Sequence, residues 1–307
     1  MKNILIVGLG VQGVKRKNLI KNKKILTVDL KNKLADYKNI KDVPTDSYDA
    51  VFLCVPDSAK YSLVKYCIVN KKHVLIEKPL WLKNIKEFHY LQKLANKNKV
   101  LCYTAYNHRF EPHFVKIRKV IEEKSLGKIY SCRIFYGNGT ARLVKNSDWR
   151  DSGSGVLRDL GPHLLDLVRI WFGGKKFKFK IVSSNNFENK SLDHVVILCA
   201  SKTFRIEIEM TMCMWKNHHT TDIMASKGSA HISSLCKWGP TSFFFRKRKL
   251  PSGIPTEQTK TLTMKDPTWK IEHDYFFKLV KNNTKTNFDN DIWIFKTLKK
   301  LEKKYDH

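Results

Sequence analysis

The chain has 307 residues, of which 42% are hydrophobic and 11% aromatic; that is material for about two domains with real cores. No apolar run approaches the roughly 20 residues that a membrane span needs, so no membrane partner is expected. The formal net charge is +30, spread as lysine over the whole length, which favours anionic ligands and non-specific contact with nucleic acid rather than a dedicated nucleic-acid site.

From Lys2 the sequence runs straight into Ile4–Val7 and a glycine turn, without the long apolar segment of a secretory signal, so a cytoplasmic location is expected. Asn3–Val7 reads as a strand running into Gly8-Leu9-Gly10-Val11-Gln12-Gly13, a GxGxxG pattern with a strand before it and a helix after it. Gly8 allows the tight turn, Gly10 lets the backbone approach a pyrophosphate, and Gly13 lets helix and strand pack closely. Val11 and Gln12 lie at the helix start, where free N–H groups favour a phosphate. A dinucleotide site also needs a carboxylate about 20 positions on, and Lys24–Val28 followed by Asp29 supplies it. Asp29 would accept hydrogen bonds from the adenosine ribose and repel a 2′-phosphate, so NAD is expected over NADP; Lys31 and Lys33 nearby leave NADP open.

The alternation continues. Asp49–Val55 is a third strand ending at Pro56, Ser58–Asn70 a helix, His73–Ile76 a fourth strand, Asn84–Ala95 a helix and Val100–Tyr106 a fifth strand. Strands and helices alternating over short connections predict a Rossmann-type doubly wound parallel sheet over residues 1–106. Ligands bind where such strands leave the sheet, which marks Val55, Pro56, Glu77 and Lys78 as cofactor-side residues. Pro79 keeps Lys78 out of helical geometry and makes a cis Lys78–Pro79 bond accessible, so the lysine is held and able to polarise a substrate oxygen.

The pattern changes after Asn107-His108-Arg109-Phe110-Glu111-Pro112. A helix from Pro112 to Glu123, a strand from Lys128 to Tyr136 and a Gly/Ser-rich loop from Gly137 to Gly155 come next. Phe204–Met214 alternates apolar and charged residues as a one-sided antiparallel strand does, and Val195–Cys199, Ile223–Ala225 and Ala230–Ser233 read as its neighbours. Residues 107–307 are therefore expected to form a second, α+β domain with a mostly antiparallel open-faced sheet, closed by helices at about Lys270–Val280 and Asn290–Lys304. Phe243–Phe245 followed by Arg246-Lys247-Arg248-Lys249 reads as a strand ending in a solvated loop. The seven cysteines (Cys54, Cys67, Cys102, Cys132, Cys199, Cys213 and Cys236) form no CxxC pair and no metal spacing; they read as small buried hydrophobes, and no metal is expected.

Within the second half, Arg158-Asp159-Leu160-Gly161-Pro162-His163-Leu164-Leu165-Asp166 suggests a helix whose first turn holds Pro162. Asp159 then lies just before the helix, and His163 and Asp166 share a face. An imidazole beside a carboxylate is an acid/base arrangement, although a histidine between leucines is more often a core residue.

Taken together, Gly8–Gly13, Glu77-Lys78-Pro79, Asn107–Pro112, Asp148-Trp149-Arg150, Gly153-Ser154-Gly155 and Asp159–Asp166 resemble, in this order, the Gfo/Idh/MocA family, the glucose–fructose oxidoreductase and inositol dehydrogenase group. The resemblance is specific over roughly the first 175 residues and architectural beyond. It implies a nicotinamide-dependent oxidoreductase acting on a CH–OH group of a sugar, nucleotide sugar or related polyol, working as a homodimer or homotetramer through the second-domain sheet. It also implies a substrate pocket beside the nicotinamide in which His163 exchanges the hydroxyl proton, Lys78 stabilises the partial alkoxide and Asp159 orients substrate and lysine. Asn107, Arg109, Trp149 and Arg150 are implied as substrate contacts. One departure stands out: where relatives often carry a histidine four residues after the proline that ends the third strand, this chain has Lys60. Fold alone does not settle the reaction, and a non-catalytic NAD-sensing protein or a reductase of a non-sugar substrate are the alternatives.

Overall fold

The computed structural model of the chain describes residues 3–21, 23–147, 150–173 and 177–303. They fold into two compact units, the first containing the residues up to Asn107 together with Thr268–Phe295, the second His108–Pro267 and the residues from Lys296 on.

In the first unit the elements alternate as β1 (Asn3–Val7), α1 (Val11–Leu19), β2 (Lys24–Val28), β3 (Ala50–Leu53), α2 (Asp57–Val69), β4 (His73–Glu77), α3 (Ile85–Lys97) and β5 (Cys102–Ala105). All strands are parallel, in the order β2-β1-β3-β4-β5. The strands are continuous apolar runs because both faces of the sheet are covered. Leu5, Val51, Leu53, Val74 and Ile76 pack on one side with Val64 of α2 and Phe88 and Leu91 of α3. Ile4, Ile6, Ala50, Phe52 and Leu75 pack on the other. The sheet order reverses at β1, whose neighbours are β2 and β3, so the crevice beyond the ends of β1 and β3 is the switch point at which such folds bind ligands.

The sequence reading gave everything beyond residue 106 to the second domain, whereas Thr268–Phe295 folds with the first unit. The physical reason lies in the second face of the sheet. Phe276 of α7 (Thr268–Lys281) closes on Phe52 edge to face at 5.7 Å, and Thr286 ties down β5, accepting from the Cys102 amide and donating to the Val100 carbonyl, each at 2.8 Å. No local pattern announces that a helix so late in the chain supplies this cover.

The second unit is an eight-stranded sheet in the order β13-β12-β11-β10-β6-β9-β8-β7. Its strands are β6 (Ile129–Gly137), β7 (Lys180–Asn185), β8 (His194–Ala200), β9 (Arg205–Thr211), β10 (His218–Ala225), β11 (Gly228–Ser233), β12 (Thr241–Lys247) and β13 (Thr256–Leu262). Only the β6–β9 pair is parallel among these. Ile206, Ile208 and Met210 of β9 are buried while Glu207 and Glu209 between them point outward, the alternation read from sequence. Helices α4 (Pro112–Glu122) and α6 (Val156–Phe172) lie with this unit, as does short α5 (Ala141–Lys145), and the last helix, α8 (Asp289–Glu302), is shared between the two units. Edge strands β7 and β13 carry little apolar alternation, which is why they escape a pattern search and how sheet edges avoid pairing with other chains.

One expectation is corrected here. The helix predicted to open at Pro162 begins at Val156, so Pro162 lies inside it. Gly155, at φ 44°, turns the chain, and the Val156 amide bonds the Leu192 carbonyl at 2.7 Å, setting the start earlier. Asp159 is thereby in the first turn of α6 and stands four residues from His163, on the same face.

Candidate active site

The first unit builds a phosphate cradle at the end of β1. A Cβ on Gly13 would stand 1.8 Å from the Gly8 carbonyl oxygen and one on Gly8 2.2 Å from that of Cys54, so these two glycines exist for close packing. Gly10 differs: a Cβ there would meet nothing within 4 Å, and the turn is open toward solvent at that point. Helix α1 starts at Val11 behind the N-cap residue Gly10, with no side-chain cap and no acidic residue in its first turn. Its amide N–H groups and the positive end of its dipole, at Val11, Gln12 and Gly13, therefore face an open surface, a geometry that fits a pyrophosphate.

Asp29, just beyond β2, organises this turn. Its Oδ2 accepts from the Leu9 amide at 2.7 Å, and its Oδ1 accepts from the amides of Lys31 and Asn32, both at 2.8 Å. Burial works to raise its pKa, but these three backbone donors outweigh it and hold the carboxyl below the usual range. The carboxylate is thus kept ionised beside the glycines, with acceptor capacity left for a ribose hydroxyl. A dinucleotide fits these residues.

Val55 and Pro56 follow β3, with Pro56 preceding the first residue of α2; Glu77 ends β4 and Lys78 follows it. These two charged neighbours fare differently. Glu77 turns inward: it is buried in an ion pair with Arg16 of α1, whose Nη2 also meets Glu272 of α7 at 2.9 Å. Burial works against the Arg16 charge, but the two carboxylates hold it firmly protonated, and the guanidinium lies 4.7 Å from the Trp269 ring centre. Glu77, expected from sequence on the cofactor side, is tied to Arg16 at the strand end. Lys78 is half-buried and joined to Pro79 by a cis peptide bond. The Pro79 carbonyl accepts from Lys60 of α2, an amine 2% exposed that also pairs with Asp57 at 2.7 Å. Burial lowers the Lys60 pKa, opposed by Asp57. Asn107, expected to touch substrate, donates from its side-chain amide to Thr268 at 2.9 Å and is 7% exposed.

In the second unit α6 presents Asp159 and His163. Asp159 has Arg150 at 3.8 Å, while Trp149 lies outside the described residues. Asp166, three residues after His163 in α6, takes a two-pronged bond from Arg109, whose Nε and Nη2 reach its carboxylate at 2.7 and 2.6 Å. Such a fork–fork pair fixes the turn at Asn107–Phe110 against α6 and makes Arg109 a structural clamp. His163 is 8% exposed, and its ring stacks on that of His108, with centres 4.0 Å apart. His108 in turn lies 3.2 Å, through Nε2, from the amine of Lys237, which donates to the Tyr136 hydroxyl at 2.7 Å. Beside Lys237, the amide and thiol of Cys236 reach Glu111 at 3.2 and 2.8 Å. Burial raises the pKa of Glu111, only partly offset by these donors.

Sequence reasoning missed Arg16, His108, Tyr136 and Lys237. For His108 a signal existed, since it lies within the Asn107–Pro112 stretch that carried the resemblance. Lys237 sits in a stretch with neither periodicity nor motif.

Comparison with known proteins agrees with this architecture. Residues 2–106 match the oxidoreductase family with an NAD-binding Rossmann fold, and residues 114–231 match the GFO/IDH/MocA C-terminal domain. A myo-inositol 2-dehydrogenase of Thermotoga maritima is 29% identical over 149 residues, which cover 47% of this chain and 43% of that protein. A trans-1,2-dihydrobenzene-1,2-diol dehydrogenase of Xenopus laevis is 24% identical over 67% of this chain and 62% of its own length. The chain thus matches about half the length of these curated relatives. Among solved structures, an oxidoreductase from Agrobacterium radiobacter in complex with NAD+, L-tartaric acid and magnesium superposes with a TM-score of 0.77 over 97% of this chain and 94% of that one, at 14% identity, a likeness of fold. The two family matches span more than two thirds of the sequence, and the chain belongs to the Gfo/Idh/MocA family of oxidoreductases, its NAD-binding Rossmann domain followed by the family's C-terminal domain.

Proposed function

We propose that the protein is a nicotinamide-dependent dehydrogenase or reductase acting on a CH–OH group of a sugar, nucleotide sugar or related polyol. The observation that carries this reading is the pairing, in one chain, of an open glycine turn beside an ionised Asp29 with a helix that presents an imidazole four residues from a carboxylate. Gly8, Gly10, Val11, Gln12, Gly13 and Asp29 would hold the dinucleotide, with Val55 and Pro56 lining its edge; the carboxylate favours NAD, and NADP remains open through Lys31 and Lys33. When bound, the nicotinamide accepts or returns a hydride.

The chain's own residues handle charge and protons. His163 takes the hydroxyl proton during oxidation and gives it back during reduction, worth about 10² to 10⁴ in rate. Lys78 stabilises the partial alkoxide, and Asp159, with Arg150 at 3.8 Å, orients the substrate hydroxyls. Arg150, Trp149, Asn107 and Arg109 were candidates for substrate contact. The bonds of Asn107 to Thr268 and of Arg109 to Asp166 favour framework roles for those two and leave Arg150 as the better candidate.

The resemblance to inositol and dihydrodiol dehydrogenases supports a small polyhydroxylated substrate. The outward face of the eight-stranded sheet, with Phe135, Met224 and Phe244 set among the ion pairs Arg133–Glu207 and Arg246–Glu257, suits a homodimer or homotetramer contact. Among the described residues no helix is long and apolar enough to cross a membrane, and a cytoplasmic setting fits the unpaired cysteines.

The test is reduced-nicotinamide absorbance with purified protein, NAD⁺ or NADP⁺ and a panel of sugars, polyols and nucleotide sugars. Wild type is run beside His163→Ala and Lys78→Ala. Turnover of one substrate class, lost in both variants with nucleotide binding intact, is the expected result. Tight nucleotide binding without turnover on the whole panel would favour a sensor, and no nucleotide binding would overturn the reading.

A further inference from the structure

Lys237 stands beyond residue 231, where the match to the family's C-terminal domain ends, in a short 3-10 turn, Cys236–Trp238, between β11 and β12. Nevertheless its amine reaches the ring on which His163 stacks. A protonated amine has no lone pair, so in the Lys237–His108 contact at 3.2 Å the Nε2 of His108 must be the acceptor. That assignment leaves the ring proton of His108 on Nδ1 and the ring uncharged. The amine is held in place from several sides: Tyr136 accepts from it at 2.7 Å, and the ring centres of Trp238 and Tyr136 lie 4.6 and 5.2 Å away.

We infer that Lys237 is a positioning residue for the proton transfer assigned to His163: by donating to His108 it keeps the stacked partner ring neutral and in one tautomer, and its charge keeps His163 neutral and ready to accept a proton. Two imidazoles with ring centres 4.0 Å apart cannot both be protonated cheaply. Without a third charge, a proton arriving at the pair is shared between them. With Lys237 bonded to one, that one is excluded as an acceptor. The inference rests on the proposed role of His163.

The charged and titratable groups around the two rings are consistent with this. From α6 come Asp159, compensated by Arg150, and Asp166, compensated by Arg109. From the loop before α4 comes Glu111, whose carboxyl is biased toward its neutral form by burial. From β6 comes Tyr136, and from β10 His219, which is fully buried and pushed down to about 3, first by burial and then by the charges of Lys237 and His218. Asp266 lies close enough to act on Glu111 and Cys236. The charge of Lys237 therefore already disfavours protonation of one nearby imidazole.

The experiment is imidazole NMR of the whole protein, titrated between about pH 5 and 9, which needs no knowledge of the substrate. In wild type His108 is expected to stay neutral as the Nδ1–H tautomer across the range. In Lys237→Met the titration of His163 is expected to move up by about one pH unit, the effect of removing one charge at short range. Lys237→Arg, which keeps charge and donor, is expected to restore the wild-type curve. A His108 that titrates normally in wild type, or a His163 curve unchanged by Lys237→Met, would overturn the inference. The wild-type tautomer decides even if Lys237→Met does not fold. Failure of the underlying reading shows elsewhere: His163→Ala would retain turnover, whatever the titration curves do.

Discussion

Each unit carries a buried polar cluster that involves a residue distant in sequence, yet the two clusters are made of different chemistry. In the first unit Arg16 is locked between Glu77 and Glu272. The carboxylates hold the Arg16 charge in place, and the cluster holds a shape: it fixes the end of β4, from which Lys78 emerges. In the second unit His163, His108, Lys237 and Tyr136 form a cluster of groups that can gain or lose a proton. The comparison teaches that burial of polar groups is not one phenomenon. Where carboxylates meet a guanidinium the cluster is scaffolding; where imidazoles meet an amine it can do proton chemistry.

The sharpest way to break this comparison is to remove a member of each cluster. Arg16→Met leaves two buried carboxylates without their partner and is expected to cost about 3–5 kcal/mol, read as a fall in the denaturant midpoint. His163→Phe, which keeps the ring stack, is expected to change stability by less than about 1 kcal/mol while lowering turnover 10²- to 10⁴-fold. Equal stability losses in the two variants would contradict the distinction.

The glycine turn offers a smaller contrast within one motif. Gly13→Ala drives a Cβ into the Gly8 carbonyl and is expected to cost about 1–3 kcal/mol through backbone displacement. Gly10→Ala meets open space and should leave stability within about 0.5 kcal/mol, while weakening nucleotide affinity measured by titration calorimetry. If Gly10→Ala bound nucleotide as wild type does, the open face would not be the phosphate cradle.

A further prediction concerns pH and treats the units alike. Each holds an imidazole pushed down to about 3: His273 in the first, through burial and then the charge of Arg16, and His219 in the second, through burial and then Lys237. Since the unfolded chain protonates these groups near the ordinary histidine value and the folded chain resists until about 3, unfolded protein binds more protons between those limits. Their contribution is complete above about pH 6.5 and declines as pH falls toward 3. Lowering the pH from 7 to 5 is expected to cost about 1–2 kcal/mol per imidazole, and His219→Gln or His273→Gln should each flatten the dependence of the denaturant midpoint on pH. An unchanged slope in either variant would locate the acid sensitivity elsewhere.

Much of this protein is determined by its sequence taken alone, for a local reason. The parallel sheet is legible because a strand buried on both faces must be a continuous apolar run, as Ile4–Val7 and Ala50–Leu53 are. The glycine turn and Asp29 are legible because phosphate binding demands fixed spacing within some twenty residues. Asp159 and His163 stand four positions apart in the sequence, but that one helix carries both is not legible from it, since the expected start at Pro162 leaves Asp159 outside. What only the tertiary structure decided is every role that depends on a partner remote along the chain. That Glu77 turns inward follows from Arg16 and Glu272, 61 and 195 positions away. That Asp166 takes a two-pronged bond from Arg109 follows from the turn before α4. That Thr268–Phe295 completes the first sheet, and that Lys237 reaches His108 across 129 positions, follow from packing. Periodicity reports which side of an element is buried; it carries no information about which distant residue fills the space.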